Sequence, residues 1–172
     1  AIYFQPLLQQ DGGFDIQGYT HYLGIDDSIF YPPPYQLLFK SMHPQMARVF
    51  NTFDVLLSPS TNEGFGLPII EAQSVGVPAI VNNWTSMPEL VVPGKTGEIT
   101  EISFKRWTPI NGYVAYPDTN SIYDKMETIY KADREQMAKD CREHIVTNYN
   151  LETKFKNEWL PFLEKVEKEI CV

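Results

Sequence analysis

The chain is predicted to be an α/β protein built on a doubly wound, Rossmann-like parallel sheet, with helices added at its C-terminal end. Three observations predict it. Short apolar runs such as Val55-Leu56-Leu57 and Val77-Pro78-Ala79-Ile80-Val81 alternate with segments of helical period. Proline or glycine punctuates nearly every junction between the two kinds of segment. Beyond Asp118 the alternation gives way to longer helical stretches. Short apolar strands alternating with helices imply a parallel sheet covered on both faces.

Each element follows from local chemistry. Ala1 to Gln5 is apolar and aromatic and stops at Pro6, so it is assigned as a strand; Gln9 to Gly13 is a loop. Phe14 to Leu23 fits a short helix, with Ile16, Tyr19, Tyr22 and Leu23 as its apolar positions and Gly24 just past its end. Ser28 to Tyr31 is a second short strand, and Pro32, Pro33 and Pro34 take the chain out of the sheet because they lack ladder donors. Pro44 to Asn51 is a helix with Pro44 at its first position and Met46, Ala47, Val49, Phe50 and Phe53 on the apolar side. Asp54 to Ser58 is the third strand, Pro68 to Val75 the helix that Gly76 closes, and Val77 to Val81 the fourth strand. Ser86-Met87-Pro88-Glu89 has the form of a capping box and predicts a short helix. Pro93 to Gly97 is a turn and Glu98 to Thr100 an edge strand.

Ile122, Met126, Ile129 and Tyr130 fall on one helical face, as do Met137, Cys141 and Ile145. Phe155, Trp159, Phe162, Leu163, Val166 and Ile170 form a long stripe interrupted by Pro161, where a kink is expected. Packing on the domain's own sheet is the simpler expectation for that stripe; the other is packing against a further domain.

The chain is 172 residues long, 43% apolar and 21% charged, which is ordinary globular composition. Its net charge of −8 opposes a phosphate backbone, so nucleic acid is not expected as a partner. Cys141 and Cys171 lie in helical patterns away from metal-type spacings and are expected to be reduced packing thiols in a cytoplasmic protein. No apolar run is long enough to cross a bilayer. The three histidines, His21, His43 and His144, are scattered, and surface or capping roles are expected for them. Ala1 stands inside a strand-like run without a preceding Met, so the chain is expected to be a piece of a longer protein, truncated at its N-terminus.

Glu63-Gly64-Phe65-Gly66-Leu67-Pro68-Ile69-Ile70-Glu71 carries the chemistry. A strand ends before it, glycines turn the chain, and a helix starts near Pro68. Gly64 and Gly66 let a ligand approach the main chain and permit φ > 0 if the turn needs it. The amides of Phe65, Gly66 and Leu67 lie at the helix start, where the dipole favours negative charge. Glu71 is expected in the first turn of that helix. A carboxylate accepts hydrogen bonds from vicinal hydroxyls in bidentate fashion, which suits a ribose or a sugar ring. On residue types alone, a solvated loop carboxylate at Glu63 and an ordinary helix-start residue at Glu71 are equally open.

The series from Ser58 to Ala72, then Gly76-Val77-Pro78-Ala79-Ile80-Val81, Pro88-Glu89-Leu90-Val91 and Gly94-Lys95-Thr96-Gly97, resembles the donor-binding half of retaining GT-B glycosyltransferases of the group 1 family. The resemblance runs from about Ala1 to Tyr149 and implies the C-terminal half of a GT-B fold. It implies that Glu71 binds the ribose of a nucleotide-diphosphate sugar, with the strand end at Tyr31 and Pro32 lining the nucleobase pocket. It implies that Glu63 is the catalytic-site carboxylate holding the transferred sugar, together with Gly64, Phe65, Gly66 and Leu67. The implied reaction is transfer to an acceptor hydroxyl with retention, assisted by the leaving diphosphate, with neither an enzyme nucleophile nor a metal; there is no Asp-x-Asp pair. An N-terminal acceptor domain of the same protein is implied as partner, reached by residues 151–172. The acceptor (glycan, lipid or protein) is open, as is peripheral membrane attachment through other parts, and the fragment alone is expected to be inactive.

Two departures stand out. The Arg and Lys that such enzymes direct at the diphosphate would lie upstream of Ala1, and Lys40 and Lys95 do not replace them. The loop before Pro88-Glu89 is Asn83-Trp84-Thr85-Ser86 where glycines are usual. A non-catalytic nucleotide- or sugar-binding scaffold of the same fold is the alternative. A nicotinamide oxidoreductase is disfavoured because Gly64-Phe65-Gly66 is followed by Leu67-Pro68-Ile69, without the third glycine.

Overall fold

A computed structural model describes residues 2–3, 15–30, 43–109 and 111–170. The chain forms two compact units, Ala1–His43 and Pro44–Val172. In the first, β1 (Ile2–Tyr3) pairs in parallel with β2 (Ile29–Phe30), Ile2 opposite Ile29. Between them runs α1 (Ile16–Leu23). The Asp15 carboxylate accepts from the Gly18 N–H at 2.9 Å and caps its start, while Gly24 ends it at φ +66°. The expected loop 9–13, the strand residues beyond Tyr3 and Phe30, the triple proline and Lys40 lie outside the described residues.

In the second unit, α2 (His43–Phe50) leads into β3 (Leu56–Ser58), α3 (Leu67–Ser74), β4 (Ala79–Asn82), a 3-10 turn (Met87–Leu90) and β5 (Gly97–Thr100). The strands form a parallel sheet in the order β3-β4-β5, with Leu57 opposite Ile80 and Ile80 opposite Glu98. All four residues of β4 are buried. Ala79 and Val81 join Ile69, Met87 and Leu90 on one face. Ile80 packs with Ile129 and Met137 on the other. Period-2 alternation with both faces covered is the doubly wound layering the sequence predicts. Three strand ends, Ser58, Asn82 and Thr100, share one edge of this sheet.

β5 is the expected edge strand, but it is well protected. Glu98, 7% exposed, accepts from the Gly94 N–H at 3.1 Å and pairs with Lys125 Nζ at 3.1 Å. The charge inside the fold is therefore matched by a hydrogen bond and an ion pair, as a buried carboxylate requires.

Several features differ from the sequence reading. A β-hairpin, β6 (Ile102–Trp107) and β7 (Tyr113–Pro117), occupies a stretch to which no element is assigned above. In the helix α4 (Thr119–Lys131), Ile129 is buried, but Tyr130 is 82% exposed and Met126 is also on the surface. A residue next to the buried position lies about 100° further round the helix, so both cannot face the core. The capping box is not made: Ser86 adopts helical angles and its hydroxyl is engaged elsewhere.

The C-terminal stripe is not packed on the sheet. After α5 (Arg134–Asn148), the chain continues as α6 (Leu151–Lys154), one π-helical turn (Phe155–Trp159) and α7 (Leu160–Ile170). Phe155, Trp159, Phe162, Leu163 and Ile170 are all exposed. The Leu160 N–H donates to Phe155 O, five residues back, so the wide turn comes just before Pro161. A proline interrupts the ordinary ladder because it has no N–H, and the π turn stands where a kink was expected.

Candidate functional site

The β3 strand stops at Ser58, and the loop that follows ends at Gly66, the cap of α3. Gly66 has φ +98°, and a Cβ there would sit 2.9 Å from Ile69 Cδ1 and 3.1 Å from Leu90 Cδ1. Only glycine fits this left-handed turn against the core. Gly64 has open space around it and needs no such angle, so the φ > 0 expectation holds for Gly66 alone. Pro68 lies in the first turn of α3, and Gly66 O accepts from the Ile69 N–H at 2.9 Å. The N–H groups of Phe65, Gly66 and Leu67 donate to no described residue. Bare amides at the positive end of a helix dipole are able to donate hydrogen bonds to anions and hydroxyls.

Glu63 is half-buried, and its Oε1 accepts from Ser60 Oγ at 3.0 Å. The loop after β4 holds its backbone: the Glu63 N–H donates to Thr85 Oγ1 at 3.3 Å. Ser86 Oγ donates to Phe65 O at 3.0 Å and approaches Glu63 O at 3.4 Å. The serine that would cap its own helix instead ties down the glycine loop. Thr85 adopts φ +55°, a left-handed conformation that usually falls to glycine, at the loop where glycines are replaced. Glu71 is also half-buried but lies in the second turn of α3; the first turn holds no acidic residue. Helix α3 starts at Leu67, one residue earlier than expected, and carries Glu71 beyond the first turn, where the dipole acts most strongly.

Phe65 lies edge-to-face with Tyr149 at 6.3 Å between centroids. Tyr149 hydroxyl donates to Glu89 O at 3.3 Å, and its pKa is raised, first by burial and then by the Glu89 charge, with Lys154 opposing. Tyr149 thereby joins the glycine loop to the end of α5.

The hairpin completes the neighbourhood. Asn82, fully buried at the end of β4, donates through Nδ2 to Ser60 O at 3.0 Å and to Ala115 O at 2.8 Å. The Ala115 N–H donates to Thr61 O at 3.1 Å, so the outer edge of β7 is laced to the loop that carries Glu63. Lys105 Nζ lies 4.2 Å from the centroid of the Trp84 ring, a cation–π contact. The hairpin escapes the sequence reading, although two signals for it exist: alternating polarity from Ile102 to Lys105, and Asn111-Gly112 in the turn. Asn111 has φ +58° there.

Other candidates fall elsewhere or outside. Tyr31 and Pro32 lie outside the described residues. Lys95 lines a pocket of about 290 Å³ with Asp140, Glu143 and His144. His21 is exposed and bonds Asp26 Oδ2 at 2.9 Å, whereas His144 is half-buried and its Nε2 has no partner among the described residues. The side chain of His43 lies outside the described residues. Cys141 is a buried free thiol.

The profile of the family described as "Glycosyl transferases group 1" matches residues 34–143. The chain belongs to that family. Among curated relatives, the D-inositol 3-phosphate glycosyltransferase of Paenarthrobacter aurescens (strain TC1) is 30% identical over 88 residues, covering 51% of this chain and 20% of the relative. The chain thus spans about a fifth of the length of the curated relatives it matches. Among solved structures, sucrose-phosphate synthase from Thermosynechococcus elongatus superposes with a TM-score of 0.68 at 20% identity, covering 89% of this chain and 34% of that one. The C-terminal domain of a glycosyl transferase group 1 family protein from Francisella tularensis gives 0.59 at 20% identity, covering 78% and 60% respectively. These likenesses establish the fold: a Rossmann-like parallel sheet with flanking helices and GT-B structural neighbours.

Proposed function

We propose that this chain is the donor domain of a retaining glycosyltransferase that takes its sugar from a nucleoside diphosphate. The observation that carries the reading is the glycine loop between β3 and α3. It combines bare amides at Phe65, Gly66 and Leu67 with two half-buried, partly accessible carboxylates, Glu63 and Glu71. In this reading Glu71 accepts from the ribose hydroxyls, with Tyr31 and Pro32 beside the base. Glu63 accepts from hydroxyls of the transferred sugar, and the Gly64–Leu67 main chain holds sugar and phosphate oxygens. Ser60, Thr85 and Ser86 orient Glu63 and its loop before the ligand arrives, which lowers the cost of ordering them on binding.

The chemistry is positioning and charge stabilisation. The bond from the anomeric carbon to the diphosphate oxygen breaks, and the acceptor hydroxyl forms its bond on the same face. Its proton passes to a departing diphosphate oxygen, and configuration is retained. Positive charge builds on the ring in the transition state, where the carboxylate of Glu63 stabilises it. The reaction so written uses no enzyme nucleophile and no metal. An N-terminal acceptor domain of the same protein closes the cleft, and the exposed apolar stripe of residues 151–170 packs against it. A cytoplasmic location fits this reading, and no described helix is long and apolar enough to cross a membrane.

Calorimetry on the full-length protein with UDP-, GDP- and ADP-sugars and the matching diphosphates tests the assignment. Glu71→Ala is expected to weaken diphosphate and diphosphate-sugar alike, by about 1.5–3 kcal/mol for a lost charged hydrogen bond. Glu63→Ala is expected to weaken the sugar-bearing ligand more than the bare diphosphate. Unchanged affinities in both variants would remove the two glutamates from the donor site. Donor binding without hydrolysis or transfer would favour a non-catalytic module.

A further inference from the structure

We propose that Trp107 and Tyr113 of the β6–β7 hairpin form a stacking platform for a saccharide ring of the acceptor, beside the donor site. The proposal rests on the donor-site reading above and adds a substrate class to it. The two rings meet edge to face at 4.9 Å between centroids, and they are 55% and 53% exposed. Trp107 and Tyr113 are cross-strand partners, so their side chains share one face of the hairpin. Alternation puts Lys105 and Ala115 on that same face. Lys105 reaches the Trp84 ring, and the Ala115 backbone bonds Thr61 and Asn82. The platform is therefore continuous with the loops that hold Glu63.

Ring chemistry favours a sugar. One face of a pyranose carries C–H groups, weakly positive and apolar, which match the negative face of an aromatic ring. The indole N–H and phenol O–H at the rims can bond the ring hydroxyls. A neutral ring also suits a platform whose same-face cation, Lys105, is already seated over Trp84.

A bilayer surface fits the hairpin less well. Phe104 stacks on Tyr116 at 4.5 Å, and Arg106 lies over Tyr116 at 5.8 Å, on the face opposite Trp107. Aromatic and basic residues are thus split between two faces, where a membrane plane needs them on one.

The test uses the full-length protein saturated with nucleoside diphosphate, so that the donor site is filled. Indole N–H resonances are followed during titration with maltotriose, cellotriose, mannotriose and chitotriose. The Trp107 signal is expected to move with at least one of them. Trp107→Ala is expected to weaken that saccharide at least about tenfold, Trp107→Phe to restore most of it, and neither to change the nucleoside diphosphate affinity. A Trp107 signal that ignores all four saccharides while the loop amides still answer to nucleoside diphosphate would overturn the platform and leave the donor site standing. A response only to anionic lipid vesicles, or only to protein concentration, would overturn it in favour of a membrane or self-association surface. Loop amides that ignore every diphosphate would instead count against the donor site.

Discussion

Gly66 is the residue on which the site's shape turns, because its left-handed angle and its contact with Ile69 and Leu90 act together. Gly66→Ala is expected to destabilise the fold by about 1–3 kcal/mol, from the strained angle and the close approach. Gly64→Ala, with open space around it, is expected to change stability by less than about 0.5 kcal/mol. Chemical denaturation of the two variants separates them, and equal losses would refute the assignment. Cys141 offers a second check at this scale. Burial, then the Asp140 charge, raise its thiol from 9.0 to about 12, and its Sγ faces Thr96 O at 3.6 Å. Between pH 9.0 and about 12 the unfolded chain ionises this thiol and the folded chain does not, so stability falls as pH rises. The expected slope from this group is about 1.4 kcal/mol per pH unit, and Cys141→Ala is expected to remove it. Iodoacetamide is likewise expected to label Cys141 only after unfolding; rapid labelling of the native protein would contradict its burial.

Among the elements, the hairpin is tied to the sheet through Asn82. The amide of Asn82 ties the loop after β3 to β7, and its removal leaves both Ser60 O and Ala115 O short of a donor. Asn82→Ala is expected to cost about 2–4 kcal/mol, read as a lower urea midpoint at unchanged slope. Amide exchange is expected to rise first in β6 and β7. Uniform acceleration across the β3-β4-β5 sheet would show that Asn82 serves the sheet and not the hairpin. The same bonds explain how Glu63 is placed: its loop is gripped by Thr85 and Ser86 on one side and by β7 on the other.

At the scale of the whole chain, the exposed stripe from Phe155 to Ile170 sets the behaviour in solution. A contiguous apolar surface of this kind drives association when nothing covers it. The 172-residue chain alone is expected to self-associate as concentration rises. The double change Phe162→Lys with Leu163→Lys is expected to reduce that association while leaving stability within about 0.5 kcal/mol. Sedimentation velocity checks both statements, and identical profiles would mean that the stripe is not the adhesive surface.

Local rules determined much of this protein. The alternation of strands and helices, the helix end at Gly24, the strand–loop–helix around Glu63 and the motif series that marks the family all follow from nearest neighbours in sequence. Tertiary structure decided the rest. Ser86 has the right spacing for a capping box, yet its hydroxyl bonds the Phe65 carbonyl, a partner 21 positions away that no local pattern reveals. Amphipathic period leaves the C-terminal stripe with two partners, the domain's own sheet or a further domain, because period fixes which side of a helix is apolar and says nothing of what meets it. The hairpin's place beside Glu63 depends on Asn82, whose bond to Ala115 spans 33 positions. Bonds between distant residues form only once the chain has folded, so spacing in the sequence cannot encode them.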